Sequence, residues 1–318
     1  MIPKAELHCH LEGSMPPDLA REIALRNGIA LPREMFDPHG HYMLRDFLNF
    51  LDVYDHACGA MKEPRDFTDV LYRYLEGAAR QGAVYVEMFC SPERPKKLGI
   101  SYGTWLAALA EAIDRARRDW GIEGRIIIIC IRHLGPEAAL AMAERMVAEP
   151  HPYVVGFGMG GNEAKFAPID FAPAYRLAHG AGLGCTVHAG EVVGPESVWA
   201  AIRDLPVTRI GHGVRSIEDP KLLEELVRRG IALEVCPGSN VALGLYPSRA
   251  AHPLHRLIAA GVKVTLGADD PPFFHTSLGE EYDKAGLDEA ALKRITRTAI
   301  EVSFADEETK QKLLKGVS

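Results

Sequence analysis

The chain has 318 residues, of which 47% are apolar, 25% charged and 8% aromatic. This is ordinary globular composition, which excludes a disordered chain, a collagen and a coiled coil. Lys and Arg number 36 against 43 Asp and Glu, giving −7, and no basic run offers the clustered cations that sequence-independent nucleic-acid binding needs.

Eight short apolar, β-rich runs follow one another along the chain. They occupy residues 5–10, 84–90, 125–133, 153–157, 184–188, 209–212, 232–236 and 262–267. Stretches with helical spacing separate them, at 102–120, 136–148, 171–180, 196–203, 220–229 and 253–260. Strand-then-helix alternation implies parallel strands joined by crossover helices. Near-continuous apolar runs fit strands buried on both faces. Length alone suggests two domains at roughly 150 residues each, but α/β barrels exceed that size as one unit. Eight units predict a single (β/α)8 TIM barrel over residues 1–318, with an open doubly wound sheet as the alternative. Residues 14–80 exceed what a barrel needs after its first strand, and 276–318 form an extra helical tail. The first insertion carries an apolar helix around Phe47, Leu48 and Leu51, read either as core packing or as a lid over the barrel mouth.

The apolar stretch 126–131 is far too short to span a bilayer, and the first residues lack a signal-peptide pattern. A cytoplasmic protein without a membrane or nucleic-acid partner is expected. The six cysteines (9, 58, 90, 130, 185 and 236) are scattered without a C-x-x-C pair. They read as small buried hydrophobes.

A barrel concentrates its chemistry at the C-terminal ends of its strands. His8 and His10 end the first run, Gly160-Gly161-Asn162-Glu163 follows the fourth, and His188-Ala189-Gly190-Glu191 ends the fifth. His212 ends the sixth, and Asp269-Asp270 follows the eighth. Residues two apart on a strand share a face, so His8 and His10 can bind one ion. His188 adds a third nitrogen and Asp269 an oxygen. Three His and one Asp suit a divalent cation, with zinc first, which makes hydroxide available near neutral pH. Glu191 lies near that set without belonging to it and is a candidate proton donor. His212 and Asp270 are further candidates at the mouth. Residues 156–161 formally match G-x-G-x-x-G, but no helix opens there and residue 176 is Arg, which argues against a dinucleotide site. His10-Leu11-Glu12 matches H-x-E, but the P-C-x-x-C partner of cytidine-type deaminases is absent.

Residues 3–14, PKAELHCHLEGS, resemble the opening motif of the adenosine deaminase family. So do Thr186-Val187-His188-Ala189-Gly190-Glu191, Arg209-Ile210-Gly211-His212-Gly213, Cys236-Pro237-Gly238-Ser239-Asn240 and Asp269-Asp270-Pro271. The motifs run in the family's order over nearly the whole chain. The resemblance implies a TIM barrel binding one zinc ion per chain through His8, His10, His188 and Asp269. Two-metal relatives carry a bridging lysine on the fourth strand, where this chain has glycines. Glu191 would protonate purine N1, and His212 and Asp269 would orient the attacking water. Asp270 would hold N7, the Gly161 amide N3, and His10, Glu12, Phe47 and Leu48 would line the substrate. Adenosine deaminases usually carry Asp where this chain has Glu12, a change resembling the branch that acts on free adenine. Gly161-Asn162-Glu163 stays close to the nucleoside-deaminase pattern Gly-Asp-Glu. The expected substrate is therefore adenosine (with 2'-deoxyadenosine), and adenine is the alternative.

Overall fold

The structure, a computed structural model, describes residues 2–317, except for the side chain of Phe47. Among the described residues, nine strands follow in chain order: β1 (Lys4–His10), β2 (Ala83–Cys90), β3 (Glu123–Ile131), β4 (Val154–Gly160), β5 (Gly184–Cys185), β6 (His188–Ala189), β7 (Arg209–His212), β8 (Ala232–Val235) and β9 (Lys263–Leu266). All neighbouring strands pair in parallel. They form a (β/α)8 arrangement in which β5 and β6 are the two halves of one barrel strand. At Thr186–Val187 the ladder is interrupted, but the strand still bonds to both neighbours: Thr186 N–H donates to the Phe157 carbonyl on one side, and Thr208 and Gly211 N–H donate to the Cys185 and Val187 carbonyls on the other.

The ladders run as two sheets, β1 to β5 and β6 to β9, and do not form one continuous ladder around the barrel. At the seam between first and last strands, a single bridge joins Cys9 to Asp269. His10 N–H donates to the Asp269 carbonyl and Asp269 N–H to the His8 carbonyl, each at 3.0 Å. This seam is where two of the candidate ligands meet.

Local sequence explains the crossover helices. The helix Tyr102–Trp120 starts at Ser101, whose side chain accepts from Thr104 N–H, and ends at Gly121. Its buried stripe (Trp105, Leu106, Leu109, Ile113) recurs at three- and four-residue spacing. Residues 156–161, the apparent dinucleotide fingerprint, lie in and just beyond β4. They open no helix, so that motif is accidental. All six cysteines are buried and free. Among the described residues, no helix is long and apolar enough to cross a membrane.

The barrel interior is not purely apolar. The Arg209 guanidinium is fully buried between Glu87 and Glu234, 2.7 Å from each carboxylate. Its other face lies 3.7 Å from the Phe304 ring centroid. Phe304 belongs to the C-terminal tail and fills space above Gly156 and Gly184, where any Cβ would collide with its ring. An unpaired charge in such a place would be costly, and pairing on both sides explains why it is tolerated.

Candidate active site

His8, His10 and His188 converge at the C-terminal ends of β1 and β6. The ligand atoms of these three lie within 4.8 Å of one another. His10 Nε2 and His188 Nε2 are 3.1 Å apart. Asp269 Oδ1 stands 3.5 Å from His10 Nε2 and 3.8 Å from His8 Nε2. Burial holds all three imidazoles below their usual pKa, and so in the neutral form that binds metal. His8 Nδ1–H donates to the Glu234 carboxylate at 2.8 Å, while its buried Nε2 has no hydrogen-bond partner. A buried orphan nitrogen facing two imidazoles and a carboxylate is a good fit to a divalent cation. Carboxylate support on the far nitrogen is the usual way to fix the tautomer of a ligating histidine. Glu234 is itself held by Thr186 and Arg209.

His212 sits beside this cluster, with Nε2 3.6 Å from Glu191 Oε2 and 3.9 Å from Asp269 Oδ2. His212 and Asp269 both have positive φ, 58° and 63°. Such conformations cost energy in non-glycine residues and here turn two side chains into one mouth. A hydrogen-bond chain assigns the His212 tautomer. Leu254 N–H donates to His252 Nδ1, so His252 Nε2 carries the proton that reaches Asn240 Oδ1 at 3.1 Å. The Asn240 amide nitrogen then donates to His212 Nδ1 at 3.4 Å. Neutral His212 consequently keeps its proton on Nε2, facing the mouth.

Burial, and then the nearby Glu163 charge, push the Glu191 carboxyl up to about 8. It is therefore protonated at neutral pH, as a general acid must be. Burial lifts Asp269 to about 6 against the pull of His212, and Ser239 donates to its Oδ2 at 2.6 Å. Asp270 is raised further, by burial and by Asp269, and its buried Oδ1 has no partner. Glu12 is raised to about 7, chiefly by burial, and its Oε1 is likewise buried without a partner. A Cβ on Gly13 would lie 1.5 Å from Asp270 Oδ1. Only glycine lets the turn after β1 pass so close to that carboxylate.

The structure thus brings His8, His10, His188, Glu191, His212, Asp269, Asp270 and Glu12 to one end of the barrel. Gly161 lies there too, just beyond β4, at φ 93°. The helix Phe47–Gly59 turns Phe50 towards Phe273 and Phe274, the segment just after Asp270. Leu48 lies on the other side of that helix and is 75% exposed. The Phe47 side chain falls outside the described residues.

The family model for adenosine deaminase matches residues 3–318. The chain belongs to this family. An adenine deaminase of Agrobacterium fabrum is 45% identical over 315 residues, covering 98% of this chain and 96% of the relative. A crystal structure of adenine deaminase from Arthrobacter aurescens superposes with a TM-score of 0.92 at 31% identity, covering 100% of this chain and 98% of that one. A Burkholderia ambifaria amidohydrolase with bound Zn gives a TM-score of 0.88 at 28% identity, over 99% of this chain and 89% of that one.

Sequence reasoning gave no role to Glu234, Arg209, Asn240, His252, Arg132 or Glu163, all of which support the site from behind. One signal was available for the first two. A lone charge inside an otherwise apolar strand must find a buried partner.

Proposed function

We propose that this chain is a zinc-dependent adenine deaminase, converting adenine and water to hypoxanthine and ammonia. The observation that carries the choice of free base over nucleoside is Glu12. It is buried beside the proposed ring-binding Asp270 and carries an unpartnered oxygen. That oxygen offers an acceptor for the N9–H that a free purine has and a nucleoside lacks. A nucleoside would leave it unpaired and put a sugar against it, a loss that such sites use to discriminate. Similarity to adenine deaminases supports the same reading, which replaces the adenosine preference drawn from the sequence.

His8, His10, His188 and Asp269 would hold the metal, one ion per chain. When bound, it supplies a Lewis acid that makes hydroxide available near neutral pH. The chain's own residues do the rest. Glu191 donates its proton to N1, which draws electrons from the ring and makes C6 electrophilic. His212, with its Nε2 proton facing the mouth, orients the attacking oxygen together with Asp269. Asp270 holds N7, and the Gly161 amide faces N3.

Glu12→Asp tests the choice of substrate. The shorter side chain withdraws the acceptor and opens space. We expect kcat/KM for adenine to fall about 10- to 100-fold, the cost of one unpaired buried polar group, while that for adenosine stays level or rises. Competition assays on the purified variant read this ratio. An unchanged ratio would remove Glu12 from substrate selection.

A further inference from the structure

Residues 190–193 carry Glu191 between β6 and the next helix, Pro195–Asp204, and belong to no strand or helix. Their four consecutive N–H groups nonetheless all have a partner, and it is a single carboxylate. Glu163 Oε1 accepts from Gly190, and Oε2 accepts from Glu191 at 3.2 Å, Val192 at 2.8 Å and Val193 at 2.9 Å. Glu163 is itself anchored. The buried Arg132 guanidinium donates to the Glu163 carbonyl at 2.9 Å and to the His188 carbonyl at 2.8 Å. The ends of β3, β4 and β6 are therefore braced together directly behind Glu191.

We infer that Glu163 is a positioning residue for the proton donor: its carboxylate fixes the 190–193 backbone so that the Glu191 carboxyl is aimed at the substrate ring. Only a carboxylate suits this place. Both of its oxygens accept, one of them from three N–H groups, whereas a glutamine amide would turn its NH2 towards at least one of these N–H groups. The Glu163 charge also faces the Glu191 carboxyl and favours its protonated form. The other groups facing Glu191 are His212 from β7, Asn240 and Cys236 from the segment after β8, and Asp269 and Asp270 after β9.

The inference deepens the proposed function and rests on it for the identity of the reaction. Its test is Glu163→Gln, compared with wild type by amide hydrogen exchange and by turnover of two substrates. Adenine needs N1 protonation before water adds. In 6-chloropurine, C6 is already electrophilic and chloride leaves readily, so hydrolysis to hypoxanthine and HCl leans less on the donor. We expect exchange at 190–193 to quicken about tenfold or more with bound zinc unchanged. We expect kcat for adenine to fall about tenfold or more, with KM and the 6-chloropurine rate changing less than about threefold. Unchanged exchange, or equal losses on both substrates, would overturn the inference. Should Glu163→Gln fail to fold, Glu163→Asp keeps both oxygens on a shorter stem and is expected to show the same order of effects, smaller in size. The exchange readout requires no turnover. A wild-type chain silent on adenine would overturn the reaction and leave the brace standing.

Discussion

Glu191→Gln is expected to lower kcat for adenine by about 10²- to 10⁴-fold, the usual contribution of a positioned general acid. Glutamine keeps the shape and the contact with Asn240 but has no acidic proton to give. Zinc content should be unchanged, because Glu191 lies outside the proposed ligand set. In the wild type, activity should decline as pH rises through about 8. Burial and Glu163 have raised the Glu191 carboxyl to that point, and above it the donor is spent. The direction matters: a general base of the same pKa would lose activity as pH falls. Steady-state rates from pH 6 to 10 on both proteins check this. A variant with wild-type turnover, or a wild type that gains activity above pH 8, would remove Glu191 from the donor role.

Metal removal should have the second large effect. Dialysis against a chelator is expected to abolish turnover, and stoichiometric zinc to restore it. Stability should follow. The His8 Nε2 is buried without a hydrogen-bond partner, with the Asp269 carboxylate 3.8 Å away. A cation held by the proposed ligands would give that nitrogen a partner. Ligand at a thousandfold its Kd stabilises a fold by about 4 kcal/mol, so the melting temperature should rise measurably on zinc addition. His8→Ala should lose that rise. Full activity in a preparation shown by elemental analysis to be metal-free would contradict the proposed ligand set.

The fold was legible because its signals are local. Alternating β-rich runs and capped amphipathic helices predicted the strands to within a few residues. The break in the fifth barrel strand was not legible. The run 184–188 looks continuous, and only an interruption of the ladder at Thr186–Val187 divides it. The candidate ligands and the proposed proton donor could be picked out for a topological reason: each lies near or just beyond the C-terminal end of a barrel strand, and a parallel barrel brings those ends together. Their supports could not, since Glu234 reaches His8 across 226 residues and His252 reaches His212 only through Asn240.

The relatives favour adenine, the alternative, over the adenosine expected from the sequence, and the structure offers a physical reason for the sequence's pull the other way. Gly161-Asn162-Glu163 looked like a nucleoside pattern and weighed towards adenosine. In the structure, the Glu163 carboxylate is occupied by the backbone of 190–193. It reports how the Glu191 loop is held and carries no information about a sugar. Glu12, by contrast, has a buried oxygen without a partner and is near enough to Asp270 for its charge to be felt there.

The most direct test of the whole account is ammonia release by the purified, zinc-loaded protein, given adenine and adenosine in separate assays. Adenine is expected to turn over, with hypoxanthine as product, at a kcat/KM well above that for adenosine. Preferred turnover of adenosine would contradict it.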